Sequence, residues 1–393
     1  MKSKKSKKIY LDYAATTPVD KRVVASMLPY FAKIYGNSSS IHSMGTEANE
    51  AVEKSRKTIS NYLNCAPTEV FFTSSATESN NWALKGVAFA NKNKGKRVIV
   101  SAIEHDCVLN SAKWLASQGF DIVYAPVDLF GVIILEKLKK LITKDTILVS
   151  IMHSNNEVGT LEPIKEIGKL CHAKGIYFHT DAAQSFGKMP LDVKELNVDL
   201  LTASSHKIYG PKGTALLYIR NGVAIEPLLH GGGHERGKRS STVNVPAIVG
   251  FGKALELCIK ELKKESSIET KLRDKIIKTI LKKVPSAYLN GHPTKRLCNN
   301  INVRFDFIEG EALMMELDNK GIEVSTVSAC ASPKLESSHV LLACGIEKKN
   351  AQGTIRISLG RFTTDKDVAY LLEALPKEVK RLRVISPMNL KNC

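Results

Sequence analysis

The sequence has 393 residues, of which 43% are hydrophobic and 24% are charged, and its net charge is +18. This length and balance are typical of a globular protein with a large core and more than one domain. No apolar run approaches the length of a membrane span, and the basic start lacks the apolar stretch of a secretory signal. We therefore expect a cytoplasmic protein with no membrane partner.

The positive charge has two sources. Five lysines fall in the first eight residues, and many others lie in helix-like segments such as 136–144 and 260–283. The simplest interpretation is a solvated basic surface behind a disordered tail whose role the sequence does not define. An acidic partner or a nucleic acid is the alternative, but no aromatic-rich RNA-binding motif supports it.

From about residue 66, short apolar runs alternate with helix-like segments. The runs that predict strands are EVFFTS, RVIVSAI, DIVYAPV, TILVSIMH, IYFHTDAA and LLTASSHK. Helix-like ATESNNWALKGVAFANK and DCVLNSAKWLASQG follow the first two. Strands that alternate with helices favour right-handed βαβ units around a buried, mostly parallel sheet.

After about Val245 the pattern becomes that of a smaller α+β domain. A lysine-rich helix-like stretch, FGKALELCIKELKKESSIETKLRDKIIKTILKKV, comes first. Strand-like NNINVRF, helix-like GEALMMELDNKG and strand-like TIRISL follow it.

Lys207 lies in SSHKIYGPKGT, directly after one of the predicted strands. A lysine amine can form a Schiff base with a carbonyl where its surroundings favour the neutral form. Ser204 and His206 beside it could hold a phosphate. Taken alone, however, such a lysine is most simply an exposed loop residue.

Asp181 and Gln184 lie in IYFHTDAAQS, at the end of the preceding predicted strand. Ligands of open α/β sheets collect at the carboxyl ends of strands. A carboxylate there could pair with a pyridinium nitrogen, as pyridoxal phosphate sites require. The spacing between Asp181 and Lys207 suits one βαβ step, although a helix N-cap would also explain the aspartate.

Four further segments place candidate binding residues in or next to predicted strands. TSSATESNN begins a helix, where Ala76 and Thr77 could bind an anion. His105 could stack on an aromatic cofactor or move protons, Asn156 follows another strand, and Arg356 could hold a carboxylate. Each has a simpler structural explanation, but together they favour a pyridoxal phosphate enzyme.

Two other patterns carry less weight. Residues 232–240, GGHERGKRS, nearly match a nucleotide P-loop, but Arg239 occupies the Ser/Thr position and no clear strand precedes them.

The eight cysteines include no C-x-x-C pair, so we expect neither a metal cage nor a disulfide framework. Cys330 differs from the rest because small residues and Pro333 surround it, as in a loop that can carry a nucleophile. The other seven are interpreted as structural: residues 65, 107, 171, 258, 298, 344 and 393.

The chain resembles the cysteine desulfurases of the NifS/IscS type, which are class V aminotransferase-like pyridoxal phosphate enzymes. The combination of SSHK, DAAQ and SAC is highly specific. The matching runs extend from about residue 9 to residue 364: YLDYAATTP, FTSSATESNN, IEHDCVL, MHSNNEVGT, FHTDAAQSFGK, SSHKIYGPKG, GGGHERGKRSSTVNVPAIVGFGKA, SAC, SHVLLACG and IRISLGRFTT.

The resemblance implies the type I fold of pyridoxal phosphate-dependent transferases. In that α/β fold, a large domain with a mostly parallel seven-stranded sheet is joined to a smaller α+β domain. We place the large cofactor-binding domain at residues 20–258 and the small domain, which carries the catalytic cysteine loop, at residues 1–19 and 259–393.

The resemblance also implies roles for single residues. Lys207 would form the Schiff base and move the Cα proton, His105 would stack on the cofactor ring, and Cys330 would take the sulfur. Asp181 would pair with the pyridinium nitrogen and Gln184 with the phenolic oxygen. Asn156 and Arg356 would bind the substrate carboxylate, and Asn156 would also lie near the cofactor. The residues that would contact the cofactor phosphate are Ala76, Thr77, Ser204, His206 and the neighbouring subunit's Thr242.

The implied reaction converts L-cysteine into L-alanine and a persulfide on Cys330. The sulfur would pass to an acceptor such as an iron–sulfur scaffold protein or a tRNA-thiolation enzyme. The implied assembly is a homodimer with shared sites and no resident metal, although Cys330 could ligate an iron–sulfur cluster transiently. Another class V aminotransferase or lyase, and a non-catalytic sulfur-assembly partner, remain alternatives, as does selenocysteine for a second substrate.

The chain departs from the family pattern at two loops. Ser241 stands where the family usually has glycine, so a positive φ there would be strained. Thr326 and Val327 replace a smaller pair before SAC and would stiffen that loop, because β-branched residues have restricted χ1 angles.

Overall fold

The computed structural model describes residues 8–326 and 337–386 of the chain. The strands in that part are β1 (Ile9–Tyr10), β2 (Val70–Thr73), β3 (Arg97–Ser101), β4 (Asp121–Ala125), β5 (Thr146–Ser150), β6 (Tyr177–Asp181), β7 (Leu200–Ser204), β8 (Ala215–Ile219), β9 (Ala287–Leu289), β10 (Asn300–Phe305), β11 (Ile322–Glu323) and β12 (Thr354–Ser358). The helices are α1 (Lys21–Met27), α2 (Pro29–Ala32), α3 (Ser43–Leu63), α4 (Ala76–Asn91), α5 (Asp106–Ser117), α6 (Leu135–Leu141), α7 (Ile164–His172), α8 (Val193–Leu196), α9 (Val245–Lys283), α10 (Gly310–Asp318), α11 (His339–Ala343), α12 (Lys348–Ala351) and α13 (Asp365–Ile385). None of these helices is both long enough and apolar enough to cross a bilayer.

A seven-stranded sheet forms the centre of the molecule, in the order β2-β8-β7-β6-β5-β3-β4. Neighbours from β7 through β6, β5 and β3 to β4 pair in parallel, whereas β8 is antiparallel to both β7 and β2. This confirms the mostly parallel seven-stranded sheet. The carboxyl ends of β3, β5, β6 and β7 therefore lie along one edge.

Both faces of this sheet are buried. Along β3, Ile99 belongs to one apolar cluster, while Val98 and Val100 belong to another. Along β7, Leu201 and Leu200 divide in the same way. Successive side chains of a strand point to opposite faces, so these two clusters are the two layers that cover the sheet. The inner strands β3, β5, β7 and β8 are mostly apolar because neither of their faces meets water.

A second, smaller group of strands has its own core. β12, β10 and β9 form an antiparallel sheet, and β1 pairs in parallel with β11. Ile301 and Ile357 are fully buried in a separate apolar cluster, together with Leu11 from the chain start and Leu371 from α13. The start and end of the described chain therefore pack together.

The 39-residue helix α9 connects the two cores. Asn244 caps its first turn by accepting from the Ala247 amide. Leu255 packs in one layer of the central sheet, whereas Ile276 packs in the second core. Because one helix serves both cores, the proposed boundary between residues 258 and 259 falls inside it, and the domain limits remain a prediction.

The strands predicted from the sequence are confirmed from β2 to β7 and at β10 and β12. The prediction omitted β8, whose five residues are all buried. This strand returns antiparallel beside β7 after a turn in which Gly213 has φ 79°. Antiparallel neighbours need no crossover helix between them. The alternation of strands with helices, by which the other strands were recognised, is therefore absent between β7 and β8.

Candidate active site

A cavity of about 890 Å³ lies at the carboxyl edge of the central sheet. Its walls come from the segments that follow β3, β5, β6 and β7, from the start of α4 and from β12. Every sequence-predicted site residue that the structure describes, except Thr242, lines it: Ala76, Thr77, His105, Asn156, Asp181, Gln184, Ser204, His206, Lys207 and Arg356. Cys330 lies outside the described residues.

Lys207 follows β7 in a single turn of 3-10 helix. Its Nζ donates to the carbonyl oxygens of Ala14 at 2.5 Å and Ala15 at 2.8 Å. Burial, together with the positive charges of Lys188 and Arg356, lowers the pKa of this amine to about 7. A large fraction of Lys207 is therefore neutral near pH 7, the form in which an amine is a nucleophile and a base.

Asp181 is the last residue of β6 and is buried. Its Oδ1 accepts from the Ala183 amide at 2.8 Å, and its Oδ2 accepts from Asn80 Nδ2 at 2.6 Å. Gln184, one turn further on, donates from Nε2 to Ala14 O at 3.0 Å, the carbonyl that Lys207 also contacts. These bonds hold the carboxylate and the amide at the cavity wall.

The cavity also has an anion-binding end. Ala76 and Thr77 begin the 16-residue helix α4, whose first-turn N–H groups lack intrahelical acceptors. Ser204 and His206 lie beside them on the cavity wall. Burial lowers the pKa of His206 to about 4, so its ring is neutral near pH 7, and one ring nitrogen lies 3.1 Å from Thr16 Oγ1.

His105 is the N-cap residue of α5. Its Nδ1 accepts from the Cys107 amide at 3.1 Å, and Cys107 Sγ lies 3.1 Å from the same nitrogen. Cys107 also lines the cavity. Sequence analysis interpreted this cysteine as structural and did not anticipate that its position on α5 brings it to the cavity wall.

Arg356 reaches the cavity from the centre of β12. Its guanidinium donates to Asp12 Oδ1 at 2.8 Å and to the backbone oxygen of Asn156 at 3.1 Å. The ion pair with Asp12 fixes the orientation of the arginine, whose fork of donors suits a carboxylate. Sequence reasoning missed Asp12, although it lies within the matched YLDYAATTP run.

The segment that carries Cys330 is anchored at both described ends. Before it, Ser325 and Arg356 exchange backbone hydrogen bonds of 3.0 and 2.7 Å. After it, Ser338 caps α11 and donates its hydroxyl to Glu157 Oε2. Ser325, Glu157 and Ser338 all line the cavity, so described residues on both sides of 327–336 lie at its wall.

Thr242 is exposed and lies outside the cavity lining. Nearby, Arg239 forms an ion pair with Glu78 at 2.7 Å and so ties this loop to the first turn of α4. Ser241 has φ 153°, a positive value that favours glycine. The strain expected from serine at this position is therefore present.

The donor and acceptor set fits pyridoxal phosphate. An amine, a buried carboxylate and an anion-binding helix start share one cavity large enough for a small-molecule ligand. Glu104 Oε2 and Ser154 Oγ are also buried at its wall without partners among the described residues. Burial raises the pKa of Glu104 well above its usual value, which favours the protonated form of this side chain.

Comparison with known proteins agrees with this site. Residues 9–371 match the family Aminotransferase class-V. A protein named Cysteine desulfurase IscS from Methanosarcina thermophila is 51% identical over 389 residues, which cover 99% of this chain and 96% of that one. Cysteine desulfurase IscS 1 from Archaeoglobus fulgidus is 51% identical over 379 residues, or 96% of this chain and 99% of that one. The solved structure of a NifS-like protein superposes with a TM-score of 0.90 at 42% identity and covers 96% of this chain and 100% of its own.

The chain therefore belongs to the class-V aminotransferase family, with a type I fold and pyridoxal phosphate as the cofactor. Within that family, the relatives that match nearly all of it are cysteine desulfurases.

Proposed function

We propose that this protein is a pyridoxal phosphate-dependent cysteine desulfurase, which converts L-cysteine into L-alanine and a persulfide on Cys330. The observation that carries the proposal is that Lys207, whose pKa is lowered to about 7, shares one cavity with Asp181, His105 and Arg356. The 51% identity to the named desulfurases supports it.

Pyridoxal phosphate, when bound, supplies an electron sink for the negative charge that develops at the substrate Cα. Ala76, Thr77, Ser204 and His206 would hold its phosphate. Asp181 would stabilise its protonated ring nitrogen, and Gln184 would lie near its phenolic oxygen. These assignments rest on the shared cavity and on the resemblance to the family.

The chain's own side chains bind and deprotonate the substrate. The Arg356 guanidinium, braced by Asp12, binds the substrate carboxylate together with Asn156. Lys207 Nζ, neutral in part because burial lowers its pKa to about 7, accepts the Cα proton. His105 moves protons at the substrate side of the cavity.

Cys330 then takes the sulfur. Its thiolate attacks the substrate sulfur, a new S–S bond forms, and the carbon–sulfur bond breaks. The electron pair of that bond stays with the carbon skeleton, which leaves as alanine after protonation at Cβ. Because the segment before and after Cys330 is anchored at the cavity, the thiol can reach the substrate from there.

The proposal also includes the partners of the protein. The sulfur acceptor is an iron–sulfur scaffold protein or a tRNA-thiolation enzyme, and the working form is a homodimer in which Thr242 reaches the neighbouring subunit's phosphate site. The exposed position of Thr242, outside its own cavity, supports this arrangement. The cytoplasm remains the location predicted from the sequence.

The test is to measure alanine and sulfide released from L-cysteine by the purified holoenzyme. We expect Cys330→Ser to retain the visible absorbance of the cofactor but to lose persulfide formation. Lys207→Ala should lower alanine formation by a factor on the order of 10² to 10⁴. Cys65→Ala, which changes a partly buried cysteine outside the cavity, is the matched control. A wild-type protein without cofactor absorbance, or undiminished persulfide in Cys330→Ser, would contradict the proposal.

A further inference from the structure

One thiol in the cavity has no part in the proposed reaction. Cys107 Sγ lies 3.1 Å from His105 Nδ1 and accepts from Asn80 Nδ2 at 3.1 Å. The same amide nitrogen of Asn80 donates to Asp181 Oδ2 at 2.6 Å. Three consecutive contacts therefore connect His105 to Asp181.

The state of the Cys107 thiol determines what this connection does. Burial, together with the negative charge of Asp181, raises its pKa to about 12. The thiol is therefore protonated near pH 7, and its S–H can donate to His105 Nδ1. That nitrogen also accepts the Cys107 backbone N–H at 3.1 Å. A ring nitrogen that accepts cannot carry the proton of a neutral imidazole, so the proton lies on Nε2.

Asn80 holds the other end. It is fully buried on α4, and its Nδ2 has two hydrogens, one for Cys107 Sγ and one for Asp181 Oδ2. Asp181 Oδ1 is held separately by the Ala183 amide at 2.8 Å. The carboxylate is thus fixed from two sides, and one of them leads to His105.

We propose that Cys107 and Asn80 are positioning residues that form a hydrogen-bonded bridge between His105 and Asp181, so that the imidazole ring and the carboxylate keep one relative arrangement. The proposal rests on the proposed function for its catalytic meaning. As a protonated thiol, Cys107 does not compete with Cys330 for the substrate sulfur.

The first test uses the apoprotein and does not depend on turnover. With ¹⁵N-labelled histidine, the wild type at pH 7 should show His105 with Nε2 protonated and Nδ1 unprotonated. Cys107→Ala removes the S–H donor but keeps the backbone N–H that Nδ1 accepts, so the tautomer should stay the same while the Nδ1 signal moves toward that of a more weakly hydrogen-bonded nitrogen. Cys107→Ser keeps a donor and should restore the wild-type spectrum. Unchanged His105 signals in Cys107→Ala would overturn the bridge.

The second test uses the holoenzyme. We expect Cys107→Ala and Asn80→Ala each to lower kcat by about three- to tenfold with little change in KM, because neither residue contacts the substrate. Cys107→Ser should recover most of the loss, which a packing defect would not do. Asn80→Ala leaves the thiol in place and keeps the proposal testable if Cys107→Ala fails to fold.

The control is Cys65→Ala, because burial also raises the pKa of that thiol to about 12 but the residue does not line the cavity. Mass spectrometry of the wild type after turnover should find the extra sulfur on Cys330 and none on Cys107. Sulfur on Cys107 would contradict its protonated role. A displaced His105 Nδ1 signal in Cys107→Ala, together with a wild type that has no desulfurase activity, would instead refute the proposed function and leave the bridge standing.

Discussion

Lys207 shows how the surroundings of a side chain change its chemistry. A lysine in water is a cation at pH 7, but here burial and two neighbouring positive charges lower its pKa to about 7. The carbonyl oxygens of Ala14 and Ala15 hold the amine in place. Position and reactivity therefore come from different parts of the chain, the 3-10 turn after β7 and the loop after β1.

The pH dependence of the apoprotein follows from this shift. Because the pKa of Lys207 lies below the usual 10.5, its neutral fraction should rise through pH 7 and not near pH 10. Capture of pyridoxal phosphate by Lys207, followed by absorbance, should accelerate with a midpoint near that pH. Lys188→Met removes a positive charge and should move the midpoint upward. A midpoint unchanged by this variant would contradict the electrostatic account.

At the scale of elements, a buried ion pair holds the glycine-rich loop of residues 231–242 against β2, an edge strand of the central sheet. Arg56 Nη2, from α3, lies 2.8 Å from Glu235 Oε1, and both side chains are buried. Glu235 also accepts the Phe72 amide of β2 at 2.8 Å. The loop that leads to Thr242 is thereby held against β2 and α3, close to the start of α4.

We expect Glu235→Ala to destabilise the fold by about 3–5 kcal/mol, because it leaves Arg56 buried without its main partner. Chemical denaturation of the apoprotein measures the loss. The matched control is Glu256→Ala, which breaks a more exposed pair with Lys253 and should cost less than about 1 kcal/mol. Equal effects of the two variants would show that burial does not govern the cost.

At the scale of the whole molecule, every predicted cofactor-binding residue that the structure describes lines one cavity, except Thr242. That residue is exposed on a loop that the Arg239–Glu78 ion pair ties to the first turn of α4. A second copy of the chain would explain both the exposure and the resemblance to the family.

Mixed dimers test the shared site. Subunits with Lys207→Ala and subunits with Thr242→Ala should each be impaired alone. In a heterodimer, one site would combine the intact Lys207 of one subunit with the intact Thr242 of the other. Activity should then rise on mixing, to about that of one site per dimer. No rise, with heterodimers demonstrated by tagged subunits, would contradict cross-subunit contact.

The sequence by itself determined the parallel part of the sheet, the strand ends and the family. Those features depend on local patterns: apolar runs of strand length, and polar residues such as Asp181 and Lys207 directly after them. Side chains at the carboxyl ends of parallel strands must lie at the same edge, so the candidate site could be assembled without coordinates.

Only the tertiary structure decided the rest. β8 was missed because an antiparallel return leaves no helix between the strands. Asp12 joins Arg356, and Cys107 joins Asn80, through contacts between elements far apart in sequence. Burial, which sets the pKa values of Lys207 and Cys107, is a property of the packed molecule. A sequence shows which groups are present, but protonation and pairing depend on what folding brings around them.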